Sequence, residues 1–256
     1  TGFLPFLIFG QTATISGTVD GSAATQISMT DDPVLLGVGA DVQTAELKGG
    51  KFKFSVKIAE PRMVELKLGE GTRKIFLESG DDMKLEIGND ITGFIVFSGK
   101  GAPANIALQE LSQRFRADFT DSLLRKEMLQ KSIDIFEMER FEKLQLHKEF
   151  VSNHSDKASW TPAFKDFIES HVRYNYLAAL LGYPIENANA SSITRVVPLP
   201  QIMLDPVTDE RINHPASLID PRYRAFLTYY VTYEGSRLNE FAKFTEMTKS
   251  IEKTYD

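Results

Sequence analysis

The sequence predicts an α+β protein: an N-terminal antiparallel β-sandwich of about eight strands, followed by an all-α helical domain. Two observations carry this fold class. Short segments of alternating apolar and polar residues, separated by turns rich in glycine and aspartate, fill the chain up to Gly101. After Pro103 the apolar residues recur at helical spacing instead. We therefore predict a β-sandwich domain over residues 11–101 and a helical domain over residues 102–256.

The clearest strand is 51–58, where phenylalanine, valine and isoleucine alternate with lysine and serine. Strict alternation is the period of a half-buried strand. The other segments follow the same pattern and end at turn residues such as those of 79–82. We place these further strands at 15–19, 26–29, 34–38, 42–47, 64–68, 73–78, 83–87 and 94–97.

The longest helical pattern covers residues 123–151, and the sequence leaves open one continuous helix or two helices with an irregular join. A shorter helix is predicted before it, over residues 103–116. Six apolar residues of the long pattern lie near one stripe, which we expect to face a core. They are Leu124, Met128, Ile135, Phe136, Phe141 and Leu144.

Two later helices are predicted from their starts. Thr161 before Pro162, and Asp220 before Pro221, each combine a capping side chain with proline at the first helical position. We expect the first of these helices to stop at residues 182–184, whose sequence is Gly-Tyr-Pro. Residues 184–215 hold five of the eleven prolines and are predicted to form a long ordered loop.

Composition excludes several functions. The 256 residues carry a net charge of −6 without any basic block, which disfavours nucleic acid as a partner because phosphate contacts need clustered lysine and arginine. There is no cysteine, so this sequence holds no disulfide, no thiolate nucleophile and no cysteine-based metal site. The remaining composition is that of an ordinary globular protein.

The apolar run at residues 3–9 is too short to span a bilayer. It matches the hydrophobic part of a signal peptide, so we interpret residues 1–10 as a signal-peptide remnant, with an exposed or core strand as the alternative. The first interpretation predicts export to the periplasm or cell envelope.

The sequence predicts no metal site. Its four histidines lie outside the H-x-x-x-H and H-E-x-x-H spacings, and zinc requires three or four preorganised ligands. We expect them to be surface or partly buried side chains: His147, His154, His171 and His214. The acidic segment 205–210 lacks the glycine and the ligand spacing of a calcium-binding loop. No cofactor is predicted.

The sequence predicts no catalytic residue either. Hydrolysis by carboxylates needs two of them facing each other across a cleft with separated pKa values. The four carboxylate pairs do not suggest this, and turn chemistry explains the first two. They are Asp31 with Asp32, Asp81 with Asp82, Glu137 with Glu139, and Asp205 with Asp209. G-x-S-x-G and a P-loop lysine are also absent from the sequence.

Two features admit a binding interpretation. Gly99 and Gly101 precede a predicted helix whose amides could attract an anion, although a domain-joining turn is the preferred interpretation. Seven tyrosines of the helical half either line a binding groove or pack between helices. They are Tyr174, Tyr176, Tyr183, Tyr223, Tyr229, Tyr230 and Tyr233.

The order of several short motifs resembles the N-terminal β-domain of exported TlpA-like thiol–disulfide oxidoreductases of Gram-negative bacteria. These motifs are I-S-G-T-V at 15–19, G-K-F-K-F at 50–54, Pro61 with V-E-L at 64–66, L-E-S-G-D at 77–81, and F-S-G-K-G-A at 97–102 with Asn105. Residues 174–184 and 220–227 resemble the helical region that follows this β-domain in the family.

The resemblance implies a thioredoxin domain with C-x-x-C after the helical region, since vicinal cysteines carry out disulfide exchange. This sequence has no cysteine, so no catalytic residue is transferred to it: the redox domain lies beyond residue 256 of the parent protein, or this relative has lost it. The implied function is that of a non-catalytic, periplasmic or membrane-associated N-terminal region. Such a region would position the redox domain, bind a client or partner protein, or form a homodimer. The alternative is a free-standing extracellular module that binds a peptide or glycan.

Overall fold

The structure, a computed structural model, describes residues 11–31, 42–192, 196–208 and 214–238. The chain divides into two compact units. The sandwich unit comprises Thr1–Glu110 with Ala158–Ala163, and the helical unit comprises Leu111–Lys157 with Phe164–Asp256. The predicted fold class is confirmed, because an N-terminal β-sandwich precedes the α-helices. The predicted strand at 34–38 and the signal-peptide interpretation of residues 1–10 lie outside the described residues.

The described strands of the sandwich form two four-stranded sheets, with strand orders β4-β1-β7-β8 and β3-β2-β5-β6. All strand pairs are antiparallel except β1 with β7, which is parallel. The strands are β1 Gln11–Val19, β2 Gln26–Asp31, β3 Val42–Glu46, β4 Lys51–Ile58, β5 Arg62–Leu68, β6 Gly71–Leu77, β7 Asp82–Ile87 and β8 Ile95–Lys100.

The alternation predicted from the sequence sets the buried face of β4 and of β7. In β4, Phe52, Phe54 and Ile58 are buried, and the lysines between them are exposed. The apolar residues of β7 are buried in the same alternating way. Because side chains of a strand point to opposite faces in turn, these residues form one apolar core inside the sandwich.

The α-helices are α1 Ala102–Arg114, α2 Arg116–Phe119, α3 Asp121–Gln130, α4 Ile133–Asn153, α5 Pro162–Ala190, α6 Gln201–Thr208 and α7 Pro221–Leu238. Two short 3₁₀ helices cover Lys157–Ser159 and Pro215–Ile219. The predicted pattern at 123–151 is therefore two helices with a join, because Lys131 and Ser132 adopt extended backbone. No described helix combines the length and the hydropathy that crossing a bilayer requires.

Helix α1 contributes two buried amide side chains that complete the edges of both sheets. The Asn105 Oδ1 accepts the Phe76 N–H at 2.8 Å, and its Nδ2 donates to the Phe76 carbonyl oxygen at 2.9 Å. The Gln109 amide forms the same two bonds with Ile95 of β8, each at 3.0 Å. Among the described strands, β6 and β8 lie at sheet edges, so the side-chain amides take the place of a neighbouring strand for these backbone groups.

The predicted helix stop at residues 182–184 is wrong, because α5 runs through Gly182 and Pro184 to Ala190. Proline inside a helix removes one backbone hydrogen bond and is unfavourable in isolation. Here Pro184 is itself buried, and Leu180 and Ile185 on either side are buried as well, so packing outweighs the local preference. The predicted loop at 184–215 consequently contains the end of α5 and all of α6.

The apolar stripe predicted for 123–151 is wrong at two positions. Ile135 and Phe141 are about half exposed. Arg140, by contrast, is buried among the core positions of α4. The extended residues between α3 and α4 break the helical period, so a stripe drawn across the join assigns the wrong face to residues beyond it.

Candidate functional site

The helical unit contains a pocket of about 390 Å³ lined by α3, α5 and α7. Its apolar wall is formed by Leu124, Met128, Ala178 and Ala225. Pockets of 300–1,000 Å³ with an apolar lining and a few polar groups are typical of small-molecule sites. This pocket is therefore the candidate binding site of the helical unit.

Small residues on two helices leave this space open. In α5, Asn175, Ala178, Gly182 and Glu186 follow one another at helical spacing, so they lie on one face. A β-carbon added to Gly182 would lie 3.1 Å from the Tyr229 ring. Glycine therefore allows the tyrosine to pack directly against α5, and the alanine one turn earlier leaves a cavity.

A hydrogen-bonded triad of Arg125, Glu186 and Tyr229 forms one side of the pocket. The Arg125 Nε donates to the Glu186 Oε2 at 2.7 Å, and the Tyr229 hydroxyl donates to the Glu186 Oε1 at 3.1 Å. Burial, supported by the charge of Glu186, raises the pKa of Tyr229 to about 12. The hydroxyl therefore stays protonated at neutral pH and remains a donor.

A second polar group of the pocket contains Asp121, Asn175 and Arg222. The Arg222 Nη1 donates to the Asp121 Oδ1 at 2.6 Å, and its guanidinium lies over the Phe119 ring. The Asn175 Nδ2 donates to the Asp118 carbonyl oxygen at 3.2 Å. The Asn175 Oδ1 is buried and has no hydrogen-bond partner among the described residues, which is uncommon in native proteins.

A buried ionic cluster, formed by Asp118, Glu127, Arg140, Lys143 and His147, joins α2, α3 and α4. The Asp118 carboxylate lies 3.0 Å from the Arg140 Nη2, 2.9 Å from the Lys143 Nζ and 3.1 Å from the His147 Nε2. The Arg140 Nη2 also lies 2.7 Å from the Glu127 Oε2. Opposite charges therefore surround each buried charge, as expected for an ion-pair network that holds helices together.

The pKa of Asp118 shows which effect dominates in this cluster. Burial is the largest single effect and raises the pKa, but hydrogen bonds from His147 and Lys143 and the charges of Arg140 and Lys143 together lower it well below the usual range. Asp118 is therefore ionised at neutral pH and has the character of a structural carboxylate.

A second histidine–carboxylate pair lies at the start of α7. The His171 Nδ1 is 2.8 Å from the Asp220 Oδ1, and this fully buried carboxylate also accepts the Arg222 backbone N–H at 2.9 Å. Asp220 thus caps α7, as predicted from its position before Pro221. The His171 ring stacks on Phe119, so the pair serves helix packing.

The predicted histidines do not converge. His147 and His171 each pair with a separate aspartate, and His154 follows the last residue of α4. His214 precedes the second 3₁₀ helix. Within the described ranges, no group of three or more histidine or carboxylate side chains is placed to hold a metal ion.

The carboxylate pairs do not face each other across a cleft where the structure describes them. Asp31 pairs with Arg62, Glu139 with Lys131, and Asp205 accepts from the Gln201 amide. Asp32, Asp209 and Glu210 lie outside the described residues.

Asp81 is buried, unlike Asp31 and Asp82 among the predicted turn aspartates. Its Oδ2 accepts the Glu78 N–H at 2.8 Å, as expected for a turn. A β-carbon on Gly101, whose φ is +93°, would lie 2.6 Å from the Asp81 carboxyl carbon. The Asp81 carboxyl group thus occupies the space beside Gly101, at the start of α1, where the sequence admitted an external anion.

We expect stability to fall as pH rises from about 4 to about 6 because of Asp81. Burial raises the pKa of Asp81 to about 6, above the unfolded value of about 4, so the folded state binds the proton more tightly. Asp81→Asn should flatten this dependence and be more stable than the wild type at pH 7, measured by urea unfolding between pH 4 and 7. Asp82→Asn, at the exposed neighbour, is the matched control, and an unchanged slope in the Asp81 variant would contradict the assignment.

Most of the predicted tyrosines pack between helices. Tyr174 and Tyr223 are fully buried with ring centroids 4.6 Å apart, and the Tyr223 hydroxyl accepts the His214 N–H. The Tyr233 hydroxyl accepts the Leu199 N–H at 2.8 Å. Among the predicted tyrosines only Tyr229 lines the described pocket.

Sequence patterns did not identify Asp118, Arg140 or Asn175 as members of polar clusters. Arg140 and Asn175 each contact Asp118, which is more than 20 positions away in the chain. Arg140 also contacts Glu127, which is nearer in the chain. The spacing of Arg140 could have indicated its burial, since it shares a helical face with Phe136 and Leu144.

Comparison with known proteins adds no relative: no family model matches this sequence, and no curated protein matches it significantly.

Proposed function

We propose that this chain is the non-catalytic N-terminal region of an exported thioredoxin-like thiol–disulfide oxidoreductase, and that it positions the redox domain of its parent protein. The motif order described above and the succession of sandwich and helical units support the proposal. The buried acidic and basic groups of the helical unit are engaged in ion pairs that hold helices together, which fits a scaffold better than a catalyst.

The observation that carries the proposal is the outer face of α4. Four large apolar side chains lie on the side opposite the buried residues of this helix, and each is about half exposed: Ile135, Met138, Phe141 and Leu146. Grouped exposed apolar residues of this kind mark surfaces that bind other proteins. The proposal assigns this face to the thioredoxin domain.

The charges beside the apolar face define the partner further. Asp134, Glu142 and Glu149 are exposed on the same side of α4, with Lys148 as the nearby cation. An acidic rim around an apolar centre favours a partner surface with basic residues around an apolar patch. We therefore expect the facing surface of the thioredoxin domain to be basic at its rim.

The double substitution Met138→Glu with Phe141→Glu is expected to weaken binding of the separately expressed thioredoxin domain by about tenfold or more, because two charges would be buried without partners. Isothermal titration calorimetry measures the affinity. Val96→Glu replaces an exposed apolar residue of β8 and is the control. Equal affinities for the wild type and the double variant would contradict the assignment. Loss of self-association in the double variant would identify a second copy as the occupant.

A disulfide-reduction assay tests the non-catalytic part of the proposal. This chain alone should give no turnover above buffer, and a parent polypeptide with a C-x-x-C domain should give turnover. The alternative of a free-standing peptide- or glycan-binding module is favoured if the parent polypeptide lacks that domain and the chain still binds a ligand saturably. The pocket of the helical unit is the observation behind this alternative.

A further inference from the structure

We propose that the pocket between α3, α5 and α7 binds a carboxylate that carries an apolar side chain and a neighbouring N–H donor. Both the C-terminal residue of a peptide and a free amino acid have this chemistry. Three features of the pocket carry the inference: its apolar wall, the position of Arg125 and the unpartnered oxygen of Asn175. The inference is independent of a redox domain, since the pocket lies wholly within the helical unit.

The apolar wall selects an aliphatic group. Leu124 and Met128 of α3 face Ala178 of α5 and Ala225 of α7 around the cavity, and the two alanines leave the space unfilled. An apolar ligand group placed there would remove apolar protein surface from water. Methionine adapts its shape to the group that it contacts, so an aliphatic side chain of leucine size is accommodated without a rigid fit.

Arg125 supplies the carboxylate anchor. Its Nε is bound to Glu186, and the side chain is 52% exposed at the pocket. The two terminal nitrogens have no hydrogen-bond partner among the residues that the structure describes. A guanidinium presents parallel N–H groups that match the two oxygens of a carboxylate. The contact with Glu186 holds the guanidinium in place for this bidentate contact.

Asn175 is the reason to expect an N–H donor on the ligand. The residue lines the pocket and is 4% exposed, and its amide nitrogen is bound to the Asp118 carbonyl oxygen. That bond fixes the amide orientation and leaves the Oδ1 as a buried acceptor without a partner in the part of the chain that the structure describes. Since buried acceptors in native proteins are almost always satisfied, a ligand N–H at this position accounts for an otherwise unexplained group.

The pocket also predicts how a charged amine affects binding. The acceptor for the ligand N–H is the Oδ1 of Asn175, which is 4% exposed. Burying an ammonium beside a neutral amide oxygen costs far more than burying an amide N–H there. We therefore expect a peptide-like N-acyl group to be preferred over a free amine.

Titration calorimetry with N-acetyl-L-leucine tests the proposal, with N-acetyl-L-leucinamide and L-leucine as the comparison ligands. We expect saturable binding of N-acetyl-L-leucine. N-acetyl-L-leucinamide should bind at least about tenfold more weakly, because it lacks the carboxylate. Tighter binding of the N-acetyl compound than of leucine identifies a peptide C-terminus as the source, and the reverse order identifies a free amino acid. Absence of binding up to about 10 mM, or equal binding of acid and amide, would overturn the proposal.

Four substitutions locate the site. Arg125→Gln should weaken binding about tenfold, and Arg116→Gln, at an exposed arginine of α2, should leave it unchanged. Ala178→Leu should abolish binding by filling the cavity. If that variant is unfolded by circular dichroism, Ala225→Leu makes the same test from α7. Wild-type affinity in Arg125→Gln, or in a folded variant with a filled cavity, would show that the ligand binds elsewhere.

Discussion

Replacing Asp118 with asparagine is expected to lower the free energy of unfolding of the helical unit by about 3–5 kcal/mol. The carboxylate is 4% exposed and lies within 3.1 Å of Arg140, Lys143 and His147. Its removal leaves the buried guanidinium of Arg140 with Glu127 as the one remaining carboxylate in the cluster. Breaking a buried pair on one side costs more than the net contribution of the pair, because the remaining charge stays desolvated.

Urea unfolding followed by far-UV circular dichroism measures this loss. Asp121→Asn is the matched control in the same unit, because Asp121 pairs with Arg222 while its own side chain is 87% exposed. Asp121 itself stays in water, so its pair with Arg222 should contribute no more than about 1 kcal/mol and the control should unfold close to the wild type. A loss of similar size in both variants would show that the buried cluster has no special role.

The same variant should change the acid dependence of stability. The pKa of Asp118 is lower in the folded state than the unfolded value of about 4. Its stabilising contribution is therefore fully present above pH 4 and is lost as pH falls through the folded-state pKa. The wild type should lose stability in this acidic range more steeply than Asp118→Asn does. Parallel acid-unfolding curves would contradict the assignment.

Asn105→Leu is expected to destabilise the sandwich unit by about 2–5 kcal/mol, because it removes the two hydrogen bonds that the Asn105 amide makes with the buried backbone of Phe76. Leucine has a similar branched shape and a higher helix propensity than asparagine, so the loss reports the hydrogen bonds rather than a cavity or an unfavourable helix. Asn105 also donates to the Gly101 carbonyl oxygen, which adds to the expected effect.

Gln113→Leu, at an exposed position of the same helix, is the control and should change stability by less than about 0.5 kcal/mol. Amide hydrogen exchange gives a second and local measurement. The Phe76 N–H should exchange faster in Asn105→Leu, and the Ile95 N–H, bound to Gln109, should keep its protection. Unchanged protection of Phe76 would contradict the role given to Asn105.

The strands could be predicted from the sequence because their information is local. In β4 and β7 the alternating residues lie next to each other in the chain, and the period of two predicts which face is buried. The amide side chains of α1 could not be predicted, since Asn105 binds a residue 29 positions away and Gln109 one 14 positions away. Nothing near these residues in the sequence specifies those partners.

The incorrect helix stop and the incorrect α4 stripe have related causes. At Pro184 the local preference for a break is outweighed by burial, which depends on what surrounds α5. At Ile135 and Phe141 the period was carried across residues 131–132, where the backbone is extended. Local rules of this kind give the type of an element more reliably than its ends.

The order of the described strands, the buried faces of β4 and β7 and the lack of thiol chemistry in this chain follow from residue identity and short-range spacing. The pocket and the buried ion pairs depend on packing between helices instead. The pocket combines Arg125, Asn175 and Tyr229 from three helices, and the charges of Asp118 and Arg140 are tolerated because they meet each other. Distances between residues far apart in the chain are set by packing, and local sequence does not encode them.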